Sequence, residues 1–147
     1  MKILLALVLS LSAITLSAAV REPTASQKLL SYLPLGFHSG QNDLGEECSV
    51  FVNEVNYPKR DVQVSVMVKK TNLTKLIEED SRFGYKDYKK EFVQTERSVI
   101  GTDSNSYVER ILRTSIVDAK KLYVVVSYSV VVNRDRDVQV AECIVNL

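Results

Sequence analysis

Between Asp61 and Lys69 the chain alternates with a period of two. Val62, Val64, Val66 and Val68 fall on one side, and Gln63, Ser65, Met67 and Lys69 on the other. A helix brings together residues three and four apart, so it scatters such a pattern around its surface; a strand gathers the four valines on one face. Burying them contributes on the order of 1.5 to 3 kcal/mol each before conformational entropy is charged against it. Cys48, Val50 and Val52 alternate likewise. So does a longer run, Leu122, Val124, Val126, Tyr128, Val130 and Val132, whose opposite face carries Tyr123, Val125, Ser127, Ser129 and Val131. A run apolar on both faces predicts a central, doubly covered strand. β-Branched residues dominate all three runs, as strands favour.

Turn residues punctuate these runs. Asn42-Asp43-Leu44-Gly45 separates a short strand at 36–41 from the Cys48 strand, and Asn56-Tyr57-Pro58-Lys59 leads into Val62. Gly101 to Asn105 follows a strand at 90–100, Asp118-Ala119-Lys120-Lys121 precedes the strand at 122, and Asn133 to Asp137 closes a last hairpin. Short strands with turns at this spacing predict an all-β fold, an antiparallel meander of about seven or eight strands forming a small barrel or sandwich over residues 35–147.

Two stretches fit this class less well. Leu73, Leu76 and Ile77 have helical spacing. Val108, Ile111, Leu112, Ser115 and Ile116 also fit a helix, with Ser106 and Glu109 spaced as a capping box and Lys120 and Lys121 near the end. A helix at 106–120 would make the class α+β. The strand reading is preferred because the Asp-Ala-Lys-Lys turn and the valine run after it complete a hairpin. The pentapeptide Arg60-Asp61-Val62-Gln63-Val64 recurs as Arg136-Asp137-Val138-Gln139-Val140. Without flanking similarity this reads as two hairpins using like residues, not a duplicated half-barrel.

The N-terminus addresses the compartment. Lys2, an apolar run from Ile3 to Leu16, and the small residues Ser17, Ala18 and Ala19 have the layout of a secretory signal peptide over residues 1–19. The run is shorter than the roughly 20 apolar residues of a spanning helix and is broken by serines. The expected localisation is therefore secreted or periplasmic, with no membrane association after cleavage. Residues 20–34 are expected to be flexible or a short helix, since Thr24 and Gln27 have capping-box spacing ahead of Leu29, Leu30 and Leu33. In an exporting compartment the two cysteines, Cys48 and Cys143, are expected to form a disulfide. Trimming the leader removes Lys2 and leaves 18 basic against 18 acidic residues, a balance that argues against a polyanion binder and so against nucleic acid as partner.

Few chemistries are encoded locally. The single histidine, His38, sits in Gly36-Phe37-His38-Ser39-Gly40, where the serine is one place away from a nucleophile-elbow pattern. Two cysteines and one histidine are poor material for a zinc site, Glu78-Glu79-Asp80 lacks the spacing of a calcium loop, and the five glycines make no phosphate loop. No catalytic residue, metal or cofactor is assigned. Phe83, Tyr85, Tyr88 and Phe92 interleave with lysines and are the candidate contact surface for a partner. Asn72-Leu73-Thr74 is a glycosylation sequon that matters only in a eukaryotic secretory pathway. The functional expectation is an exported, non-catalytic binding or interaction protein, its ligand a protein surface or a small apolar molecule. The alternatives are a small secreted hydrolase using dispersed carboxylates, for which a carboxyl with a raised pKa facing a second one would speak, and an envelope structural component.

Overall fold

The computed structural model describes residues 21–102 and 105–147; the leader assigned to residues 1–19 lies outside the described residues. A short helix α1 (Ala25–Leu30) precedes nine strands: β1 (Gly36–Gln41), β2 (Glu47–Val55), β3 (Asp61–Val68), β4 (Thr71–Ile77), β5 (Gly84–Lys86), β6 (Glu91–Val99), β7 (Tyr107–Asp118), β8 (Lys121–Val132) and β9 (Asp135–Asn146). All pairs are antiparallel, and the sheet order is β4-β3-β2-β1-β9-β8-β7-β6-β5. The fold is all-β, one sheet curled into a half-barrel. It has more strands than the turn spacing indicates because β4 and the three-residue β5 give weak signals.

The two stretches with helical spacing are strands. Residues 71–77 pair with β3 from Val62↔Ile77 to Val68↔Thr71 across a two-residue turn, and Lys69 takes the positive φ that such a turn needs. Residues 107–118 pair with both β6 and β8 along most of their length, so the helix at 106–120 does not form. Local apolar spacing loses to two hydrogen-bonded neighbours. The β8–β9 turn is Asn133-Arg134, both residues at positive φ, as a type I′ hairpin requires.

Two meanders, β1 to β4 and β5 to β9, join at one place. β1 pairs with β9 only through Gly40↔Val145 and Gln41↔Ile144. The backbones come so close there that a Cβ built on Gly40 would lie 1.9 Å from the Ile144 carbonyl oxygen. The Cys48–Cys143 disulfide ties β2 to β9 beside this junction, with the Cα atoms 5.7 Å apart. The inner faces of the two meanders then meet. Val50, Val52, Val62, Val64 and Val66 come from one, and Phe92, Leu112, Leu122, Val124, Val126, Ala141 and Val145 from the other, all buried.

The predicted face of β8 is buried at its first half, Leu122, Val124 and Val126. Further along, burial changes sides, to Ser129 and Val131. The two copies of the recurrent pentapeptide sit in different environments: Val62 and Val64 are fully buried, whereas Val138 and Val140 are 44% and 49% exposed.

Helix α1 fills the side that the sheet leaves open. Thr24 and Gln27 form a capping box, each side chain bonding the other's backbone N–H. Ala25, Leu29, Tyr32 and Leu33 enter the core. The Ala25 N–H donates to the Glu79 carbonyl and the Ser26 hydroxyl to that of Ile77, at the end of β4. Lys28 lies 3.6 Å from the centre of the Tyr85 ring, on β5, and Thr114 donates to the buried Tyr32 hydroxyl at 2.9 Å. The helix thus bridges the two terminal strands of the sheet.

Two variants test the junction. The 95-residue separation of the cysteines makes the bridge worth about 4 to 5 kcal/mol by loop entropy. Cys48→Ser with Cys143→Ser should lower the unfolding free energy by that order in a urea titration. Gly40→Ala should cost about 3 kcal/mol with the disulfide intact, because two backbones must separate to admit one methyl group.

Candidate functional site

Where β1 leaves β9, an open groove of about 880 Å³ forms against the outer face of the sheet. The short pairing is its cause: β1 ends at Gln41 and β9 at Asn146, so the two strands overlap only at their ends. Phe37, Met67 and Ile144 supply apolar surface, Ser39, Gln41, Ser49 and Asn146 polar groups, and Glu47, Lys69 and Lys121 charges. Strand alternation puts Phe37 and Phe51 directly opposite each other on the outward side of β1 and β2. They are 64% and 43% exposed, and Met67 on β3 is 39% exposed. The opposite residues of the same strands, Cys48, Val50, Val52 and Val66, are buried. A rigid sheet therefore presents two phenyl rings and a thioether to the surroundings. Lys69 forms an ion pair with Glu46 at one end of the groove, and that contact, together with Asn42, holds the Glu46 carboxyl below the usual carboxylate range.

Three of the four rings of the aromatic stretch proposed from the sequence as a contact surface lie against the core. Phe92 is fully buried. Phe83 stacks on it with ring centres 5.3 Å apart and packs, partly buried, against the core. Tyr85 is also partly buried, tilted against Tyr32 at 6.0 Å. Of the four, Tyr88 is exposed, at 79%. These rings close the core around α1, and the lysines between them face outward. The outer pair Phe37 and Phe51 has no local signal, because Phe51 reads as part of the apolar run Val50-Phe51-Val52 and Phe37 lies fourteen residues earlier; only the strand register brings them together. Asn72 lies exposed on β4, opposite Met67. His38 is partly exposed, and its Nε2 donates to the Pro34 carbonyl at 2.8 Å.

A second polar feature lies where β4 faces β6. Lys75 is 2% exposed and donates to Glu96 Oε2 at 2.7 Å and to the Leu76 carbonyl at 2.8 Å. Arg110 reaches the other Glu96 oxygen at 3.6 Å. With Gln94 these side chains line a cavity of about 320 Å³. The hydrogen bond from Lys75 is the main reason that the Glu96 carboxyl is held below its ordinary range. Asp61 is also held down, by Asn56 and by the backbone N–H of Glu79. The carboxyls of Glu46, Asp61 and Glu96 thus all titrate low, whereas a general acid needs a raised value.

Among the described residues no group of three or more His, Cys, Asp or Glu is placed to hold a metal ion. No described helix is long and apolar enough to cross a membrane, a statement that does not bear on strands. The chain matches no known protein family, no curated protein and no solved structure.

The seam pair makes an asymmetric prediction. Glu96→Ala leaves the Lys75 ammonium buried without its carboxylate and should cost about 3 kcal/mol; this is at the low end for a broken buried pair because Glu96 is half open to water. Lys75→Met removes the buried charge itself and should be close to neutral. The depressed Glu96 carboxyl stabilises the fold fully above its unfolded pKa of about 4.3, and that contribution fades as the pH falls through the folded value. Acid unfolding of Glu96→Gln should therefore be shallower than that of the parent, followed by circular dichroism.

Proposed function

We propose that this is an exported, non-catalytic binding protein that docks a protein partner on the outer face of β1, β2 and β3, along the groove beside Phe37. The exposed Phe37–Phe51 pair carries this reading. Two phenylalanines opposite each other on a rigid strand pair bury apolar area at little entropic cost, as interface centres do, and the polar and charged groove wall supplies the rim. The disulfide is compatible with an extracellular or periplasmic setting. The interior, where a carried apolar molecule would sit, is occupied by the buried valines and leucines of both meanders, by Leu29 from α1 and by Leu33 just after it. That favours a macromolecular partner over a small apolar ligand.

A photo-activated cross-linking residue at Phe51 or Met67, in protein released by its own producing cell, should give an adduct of defined mass. Adding Phe37→Asp should abolish it while changing stability by less than about 0.5 kcal/mol, since the ring is largely exposed. The same adduct from a probe at Tyr88, or one insensitive to Phe37→Asp, would defeat the proposal.

A further inference from the structure

β9 has a second unused edge, separate from the groove face. On one side β9 pairs with β8 from Asp135 to Asn146; on the other it pairs with β1 only at Ile144 and Val145. Among the described residues, no strand covers that other side from Asp135 to Cys143. Residues 135–140 are exposed on both faces of the strand. Bare edges of this kind are templates for another strand.

The outward-facing residues of this segment are Arg136, Val138, Val140 and Glu142, in that order, because Ala141, Cys143 and Val145 point inward. Read against a reversed copy of itself, the pattern is self-complementary. An antiparallel pairing centred on Gln139 sets Val138 opposite Val140 of the second copy and Arg136 opposite its Glu142, and the two-fold axis repeats both pairs. Shifting the centre to Val138 would place Arg136 against Val140 instead, and shifting it to Asp137 would stack two aspartates. We infer that this chain forms a two-fold dimer through β9, continuing the sheet from one copy to the next with Val138 and Val140 at its centre.

The existing contacts leave room for this. Arg136 lies 3.6 Å from Glu109, which Arg97 already holds at 2.7 Å, so the Arg136 guanidinium has donors for a second carboxylate. Glu142 accepts from the Tyr123 hydroxyl at 2.5 Å through one oxygen, and a carboxylate has two. The whole chain carries a net charge of only +1, so little repulsion opposes association of two copies.

Charge reversal tests this directly. Arg136 and Glu142 are six residues apart on one strand, about 20 Å, so they do not touch within one copy. Sedimentation equilibrium of the disulfide-bonded chain should show a monomer–dimer equilibrium. Arg136→Glu and Glu142→Arg should each raise the dissociation constant by about tenfold, since each places like charges opposite one another twice per dimer. The double variant should regain most of the lost affinity, which no effect within a single copy can produce. Val138→Lys should abolish the dimer, with circular dichroism confirming that the fold persists. A chain that stays monomeric at millimolar concentration would overturn the inference. So would a dimer that survives Val138→Lys, or one that the double variant fails to restore. Each of these outcomes is independent of whether the Phe37 face binds a partner.

Discussion

The architecture depends on the near-contact of two backbones at Gly40 and Ile144. Without it the chain is two meanders, each with one apolar face and nothing to bury it against. Two residue pairs are a small amount of strand pairing to hold nine strands in one sheet. The Cys48–Cys143 bridge compensates, since it links β2 to β9 next to the crossing and closes a loop of 95 residues in the unfolded chain. Because the pairing is so short, the meanders are free to swing their inner faces together, which creates the core. The same brevity opens the outer groove and leaves the edge of β9 bare. Core, groove and edge are thus three results of one geometric fact.

Sequence pattern revealed what is local. The alternation in β3, β2 and the first half of β8 fixes which residues face inward, and the structure buries Val50, Val52, Val62, Val64, Val66, Leu122, Val124 and Val126 accordingly. The hairpin turns are also local, and their positions follow from residues that tolerate positive φ or begin turns. The pairing of β1 with β9 is different. It unites residues about a hundred positions apart, and the glycine that permits it, Gly40, looks in the sequence like an ordinary glycine in a short strand. The cysteine pair is the other sign of this juxtaposition, since a bridge from the second strand to the last must bring the two meanders together.

The stretch from Phe83 to Phe92 shows why composition alone is a poor guide to a surface. Its aromatics and lysines alternate irregularly, which suits a platform as well as a cover. What decides is α1 with the turn after it: once Leu29, Tyr32 and Leu33 occupy the open side, Phe83, Tyr85 and Phe92 are the rings available to enclose them. Helix α1 has no strong pattern of its own beyond a capping box, and a six-residue helix is not stable alone. Its position is a tertiary fact. The buried Lys75 is equally silent in sequence, because a lysine in an edge strand is ordinarily read as solvated.

The ends of this sheet are handled differently. At β4 and β5 the open side is bridged from within, by the bonds of α1 to Ile77 and Glu79, its contact with Tyr85, and the Lys75–Glu96 pair across the seam. These devices bury polar groups at a cost in desolvation, and they make sense only if leaving that side open is worse. The outer rings of Phe37 and Phe51, and Val138 and Val140 exposed among the charged residues on the bare side of β9, have no such cover. A chain that seals one opening with a helix and a buried ion pair has the means to seal others. Surfaces left apolar beside such a seal are the ones on which selection for contact is the economical explanation.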